Sequence, residues 1–292
     1  MASIDVRTGM TIEYDIRGEG EPILFVMGLG GQLIAYHEDF VDLFVERGYQ
    51  AIRFDNRDIG LSTQTDWTPP SQKKSMLSML TRRPLKGVGY TVEDMGDDAA
   101  ALLDALDIES AHVFGVSMGG MIAQAMAINH PSKVRSICSV MSNTGDRRNG
   151  GISRSLLRTL GRRPPPTPEN AVEQSVATFR AISGDHFDEE RIRELAAASL
   201  TRSFTPEGIA RQTAAIGGSP DRTARLRDVR APALVVHGLQ DPLVKPSGGV
   251  ATARAIPGSR LLMLPDMGHD LPRPRWVEIR DCVVTNVERA DA

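Results

Sequence analysis

Ser117 lies in GVSMG, a G-x-S-x-G pattern that follows the apolar run AHVFGV and leads into MGGMIAQAMAI, which reads as a helix. At a strand–turn–helix junction this spacing projects a serine hydroxyl from the strand end, and the helix aims its first N–H groups at the same spot. The flanking glycines are required because a Cβ there would collide with the neighbouring strand or the helix backbone. A serine hydroxyl is a weak nucleophile until a base takes its proton, and the base needs a carboxylate to orient it. In this architecture the order along the chain is serine, acid, histidine. Asp241 follows the apolar run ALVVH by four residues, and His269 follows RLLML by five. Asp146, after the preceding strand, is the alternative acid. The other histidines fall in a strand (His112), at a strand end (His237), at a helix end (His130) or in polar surroundings (His37, His186), and read as structural or solvent-facing.

These side chains need a scaffold that brings three distant loops to one rim. Strands are expected at Ile4–Arg7, Thr11–Arg17, Ile23–Met27, Gln50–Asp55, 111–116, 134–141, 233–237 and 260–264. Helices are expected near Ala35–Arg47, at Thr91–Leu106, after Ser117, near 247–256 and at about 274–289. Thr91 and Asp94 are placed to cap the second of these. Strands separated by helices imply a mostly parallel sheet with right-handed crossovers. The alternation breaks at Asn143. Residues 145–220 read as helical and polar, with helix starts at Thr167-Pro168-Glu169, Asp188-Glu189-Glu190 and Thr205-Pro206-Glu207. The expected organisation is a core at 1–144 and 221–292, with a helical cap at 145–220 over the strand ends, where ligands bind in such folds.

Composition narrows the class. The chain has 292 residues, enough for one large core with an insertion, and its net charge of −3 argues against nucleic acid as a partner. No apolar stretch approaches the roughly 20 residues of a membrane span, and no signal peptide is visible, so a cytoplasmic protein is expected. Cys138 and Cys282 read as two reduced thiols rather than a disulfide.

The motifs VMGLG (26–30), RFDNRDIGLS (53–62), GVSMGG, HGLQDP and MGHD resemble those of the α/β-hydrolase superfamily, from about residue 10 to 285. The likeness is to bacterial carboxylesterases and lipases of the aclacinomycin methylesterase-like group. It implies an eight-stranded, mostly parallel α/β-hydrolase sheet flanked by helices, without cofactor or metal. By the resemblance, Ser117 is the nucleophile, His269 the base and then acid, Asp241 the orienting acid, and the N–H groups of Leu29 and Met118 hold the oxyanion. Many relatives carry His-Gly at the oxyanion loop, where this chain has Met27-Gly28. The resemblance makes Asp55, Arg57 and Asp58 a structural brace. The expected activity is hydrolysis of a small, apolar carboxylic ester through an acyl-enzyme. A thioesterase, a C–C bond hydrolase, a cofactor-free perhydrolase and a non-catalytic binding protein on the same fold remain open, as does the oligomeric state. Two basic stretches without acids, at 71–86 and 152–163, read as lid elements meeting an acyl chain or anionic lipid surface, or as cap helices with solvated arginines; the second is the preferred reading.

Overall fold

The computed structural model describes residues 1–71, 74, 78, 83–160 and 164–290. Most of the basic stretch at 71–86, and the end of that at 152–163, lie outside them. One sheet holds eight strands: β1 (Ala2–Asp5), β2 (Thr11–Arg17), β3 (Glu21–Val26), β4 (Tyr49–Phe54), β5 (Ala111–Val116), β6 (Val134–Val140), β7 (Ala233–Gly238) and β8 (Arg260–Leu264). Their order is β1-β2-β4-β3-β5-β6-β7-β8. β2 pairs antiparallel with β1 and β4, and every other pairing is parallel. Nine α-helices flank the sheet among the described residues: α1 (Glu38–Val45), α2 (Val92–Ala105), α3 (Met118–Asn129), α4 (Arg154–Leu160), α5 (Ala171–Ile182), α6 (Glu189–Arg202), α7 (Pro206–Gly218), α8 (Ser247–Ala255) and α9 (Trp276–Glu288). No helix among these residues is long and apolar enough to cross a membrane.

The central strands are apolar on both faces because helices cover both. In β3, Leu24 and Val26 point into a core shared with α2 and α3. Ile23 and Phe25 point the other way, into a core shared with α1 and α9. Phe25 lies edge-on to Tyr36, Phe40 and Phe44 in that second core, with ring centroids 5.2–6.5 Å apart. Burying a side chain of this size contributes about 1.5–3 kcal/mol. Cys138 is buried and Cys282 half-buried, and both are free thiols.

Register does the positioning. Val26 pairs with Gly115, Val116 with Val140, Val140 with Val236, and Gly238 with Leu264. The carboxyl ends of five strands are therefore level, and the loops that leave them crowd one rim.

Several boundaries differ from the sequence reading, each for a local reason. β1 ends at Asp5 because Val6 starts a turn, its N–H donating to Met10 O at 2.9 Å. α1 starts at Glu38 because His37 caps it, Nδ1 accepting from the Asp39 N–H at 3.1 Å. α5 starts at Ala171 because residues 167–170 close their own turn, with Asn170 Oδ1 accepting from the Thr167 N–H at 2.8 Å. The caps expected from Asp188 and from Thr91 with Asp94 are present.

Helices α4 to α7 lie between β6 and β7 and are tied to the loop after β4. Arg202 on α6 donates to Asp55 at 2.5 Å, and Arg211 on α7 to Asp58 at 3.1 Å. Gln212 Nε2 donates to Arg57 O at 2.8 Å, and its Oε1 accepts from the Gly30 N–H at 3.0 Å. Burial raises the Asp55 pKa despite the N–H groups of Leu61 and Leu33 and the Arg202 guanidinium. The side chain of Arg57 turns to α2 instead, where two donors meet Asp98 at 2.5 and 2.7 Å, both groups being buried. Removing one partner of such a pair strands a buried charge. Asp98→Ala is therefore expected to cost about 3–5 kcal/mol in chemical denaturation. A loss under about 1 kcal/mol would show that the pair does not brace the loop.

Candidate active site

β5 ends at Val116, and the chain reverses at Ser117, whose φ is 55° and ψ −118°. A non-glycine residue here is strained by about 1–3 kcal/mol and persists only where its surroundings fix it. The fixing is visible. The Ser117 N–H continues the ladder to β6 by donating to Val140 O at 2.9 Å, and Ser117 O accepts from the Gly120 N–H at 3.0 Å. α3 is pressed against the strands so closely that a Cβ on Gly119 would lie 2.0 Å from Val26 O, and one on Gly115 2.1 Å from Gly119 O. Ser117 occupies the N-cap position of α3, yet its side chain makes no capping bond. Its hydroxyl points instead to His269.

Asp241 lies beyond β7 and is buried. One oxygen accepts from the N–H groups of Leu243 and Val244 at 2.9 and 2.8 Å. The other lies 2.7 Å from His269 Nδ1 and 3.5 Å from His237 Nε2. Burial alone would raise the Asp241 pKa, but the charge of His269 and the hydrogen bonds from His237, His269 and the Val244 N–H outweigh it and leave it lowered. A carboxylate only accepts, so the Nδ1 of His269 carries the proton and Nε2 is left with its lone pair. That lone pair faces Ser117 Oγ at 2.9 Å. The three side chains form one chain of hydrogen bonds that can draw a proton from the serine.

The loop carrying His269 is held by the segment after α5. The His269 N–H donates to Ile182 O at 2.7 Å, and the Asp185 N–H to Asp266 O at 3.0 Å. His186 meets Asp266 at 2.7 Å. Asp270 Oδ1 accepts from the Gly268 N–H at 2.9 Å and the Gly184 N–H at 3.4 Å, while burial raises its pKa against those bonds. These partners were not singled out in the sequence. Asp270 lies inside the MGHD motif and was within reach, but Ile182, Gly184 and His186 precede it by more than 80 positions and carry no local signal.

Of the two acids considered, only Asp241 meets the histidine. Asp146 is engaged locally, accepting from the Arg148 N–H at 2.9 Å and Asn149 Nδ2 at 2.5 Å. His112 meets Ser136 and His130 meets Asp97, while His237, behind Asp241, is bonded chiefly to Val244 O at 2.7 Å. Among the described residues no three His, Cys, Asp or Glu side chains gather as a metal site requires.

Ser117 and His269 open into a cavity of about 1390 Å³ beneath residues of the 145–220 region. Leu29 and Met27 border it from the loop after β3, and Phe179 and Ile182 from α5. On α4, Leu156 packs inward, while Leu157, 41% exposed, and the exposed Arg154 and Arg158 border the cavity.

The sequence pattern of the alpha/beta hydrolase fold family matches residues 21–272, and this chain belongs to that family. It is 29% identical over 271 residues to the "Putative non-heme bromoperoxidase BpoC" of Mycobacterium tuberculosis, covering 89% of this chain and 91% of that one. It is 27% identical over 274 residues to the rhodomycin D methylesterase DnrP of Streptomyces peucetius, covering 86% and 85%. Among solved structures, the enol-lactonase of Burkholderia xenovorans LB400 superimposes with a TM-score of 0.74 at 22% identity, covering 98% of this chain and all of that one.

If Asp241 orients His269, Asp241→Asn should slow labelling of Ser117 by a fluorophosphonate by about 10⁴-fold, the scale of the same change in another Ser-His-Asp site. Asp146→Asn should label like the parent. The reverse pattern, read by mass spectrometry over time, would make Asp146 the acid.

Proposed function

We propose that this protein hydrolyses carboxylic esters through an acyl-enzyme on Ser117. The observation that carries the reading is the hydrogen-bonded line from Ser117 Oγ through His269 to Asp241, opening on the large cavity. Ser117 Oγ attacks the ester carbonyl carbon while His269 Nε2 takes the hydroxyl proton. Asp241 holds the imidazole and stabilises the imidazolium that forms. Collapse of the tetrahedral intermediate breaks the C–O bond, and His269 returns the proton to the departing alcohol. Water then repeats the sequence on the acyl-serine and releases the acid.

The negative charge on the carbonyl oxygen needs donors. Met118 is the first residue of α3, where helix N–H groups have no intrahelical acceptor. The loop after β3 passes close by: a Cβ on Gly28 would sit 3.1 Å from that of Ser117, which supports the next N–H, that of Leu29, as a second donor. We assign these two groups as the oxyanion hole, each contributing about 3–4 kcal/mol in the transition state. Met27 borders the cavity where many relatives carry histidine, and the change leaves backbone donors in place. Residues 145–220 serve in this reading as a cap: they roof the cavity and, through Ile182 and Gly184, steady the histidine loop. The rhodomycin D methylesterase likeness favours an ester, and a methyl ester in particular, as the bond cleaved.

Ser117→Ala should abolish turnover of short methyl and p-nitrophenyl esters with an unchanged melting curve. Residual turnover within tenfold of the parent would remove Ser117 as nucleophile.

A further inference from the structure

The protein as a whole carries a net charge of −3, yet its cavity has the opposite sign. Among the described lining residues are seven arginines and one lysine against three aspartates, a surplus of five positive charges. Arg148, Arg154, Arg158, Lys245 and Arg273 are exposed, where water screens them, while Arg147 donates to Gly217 O and the buried Arg222 to Gln124 and Asn143 O. Arg191 is in neither position. It is half-buried in the first turn of α6 and lines the cavity. Its guanidinium lies over the indole of Trp276, 5.6 Å from the ring centroid. Arg273 lies over the same indole at 5.4 Å, so two guanidinium groups share one ring. Arg273 has a carboxylate partner, Asp39, at 2.5 Å. No carboxylate among the described residues forms an ion pair with Arg191.

The charges around Arg191 do not satisfy it. Burial pulls its pKa below the ordinary arginine value; Asp188 and Asp270 oppose this from a distance, and Arg273 adds to it. A partly desolvated cation held over an aromatic ring, repelled by a second guanidinium, gains most from a planar anion that both can reach. The ring it shares with Arg273, four residues past His269, places Arg191 near the His269 loop. Much of the rest of the wall is apolar, with Met27, Val116, Met121, Phe179, Ile182 and Leu195, beside polar groups such as Asn143, Thr178 and Ser183. The cavity therefore offers Ser117, an apolar surface and a positive charge in one space.

Resting on the proposed ester hydrolysis, we infer that Arg191, backed by Arg273 on the Trp276 ring, is a specificity residue that seats a carboxylate carried by the substrate. The substrate class is then an anionic half-ester: an ester at Ser117, an apolar spacer, and a free carboxylate paired with the guanidinium. Arg–carboxylate pairing in two parallel hydrogen bonds supplies the directionality that a neutral ester lacks.

The test compares monomethyl adipate with methyl hexanoate, which have the same chain and differ in the terminal carboxylate, by pH-stat at neutral pH. The parent should prefer the half-ester. Arg191→Gln should reduce the half-ester to neutral-ester ratio of kcat/KM by about 10- to 100-fold, chiefly through KM, and Arg191→Lys should restore part of it. Misfolding would lower both esters together and leave the ratio unchanged, and an unchanged ratio in a variant with the parent's melting curve overturns the inference. Calorimetry with monomethyl adipate on Ser117→Ala separates this assignment from the chemistry. Binding lost in Ser117→Ala/Arg191→Gln supports the carboxylate seat, and equal binding in both overturns it. Arg191-dependent binding without turnover of either ester by the parent would retire ester hydrolysis and keep the anion seat.

Discussion

The arrangement rests on one backbone constraint: the positive φ at Ser117, where β5 becomes α3 in a single residue. That geometry exists only because α3 can lie almost in contact with the strands, and it can do so only where Gly115 and Gly119 present no Cβ. The same reversal that strains the serine withdraws its side chain from the capping role a serine at this position usually takes. The hydroxyl is thereby released toward His269. Strain at this one residue is held by β-ladder and helix bonds on both sides, so Ser117 is fixed by its own backbone partners.

The second determinant is how the helices between β6 and β7 are joined to the sheet. Asp55 and Asp58, in the loop after β4, reach Arg202 and Arg211 on α6 and α7, while Arg57 is clamped to Asp98 on α2. One short charged loop thus braces the core with its side chains and holds the inserted helices at the same time. Each carboxylate is buried and meets its cation at hydrogen-bond distance, the condition under which burying a charge is tolerated. A third connection runs from the end of α5 to the histidine loop. His269 depends on the inserted region for the backbone partner of its own N–H. The region that borders the cavity also holds the backbone of His269.

Much of this was legible in the chain. Apolar runs of five or six residues alternating with helical stretches specified the parallel sheet, because strands covered on both faces are predominantly apolar. GVSMG, HGLQDP and MGHD each sat just past such a run, so level strand ends were enough to bring them together. Departures clustered at element ends, where side chains compete with backbone periodicity: His37 caps α1, and Asn170 closes a turn ahead of α5. The sequence favoured Asp241 and kept Asp146 as its rival, since both follow strands at the same rim. Distance decided it: Asp146 is turned to its own loop, and Asp241 to His269.

The sequence by itself determined the fold class and the chain order of the candidate serine, acid and histidine, because periodicity and turn chemistry are local and are written in adjacent residues. Only the tertiary structure decided which acid meets the histidine, what holds the histidine loop, and the sign of the cavity. The last is the clearest case. Arg147, Arg191 and Arg273 are scattered along a slightly acidic chain, and nothing in their neighbours marks them. They become one electrostatic feature only when folding brings them around a common cavity and partly buries Arg147 and Arg191.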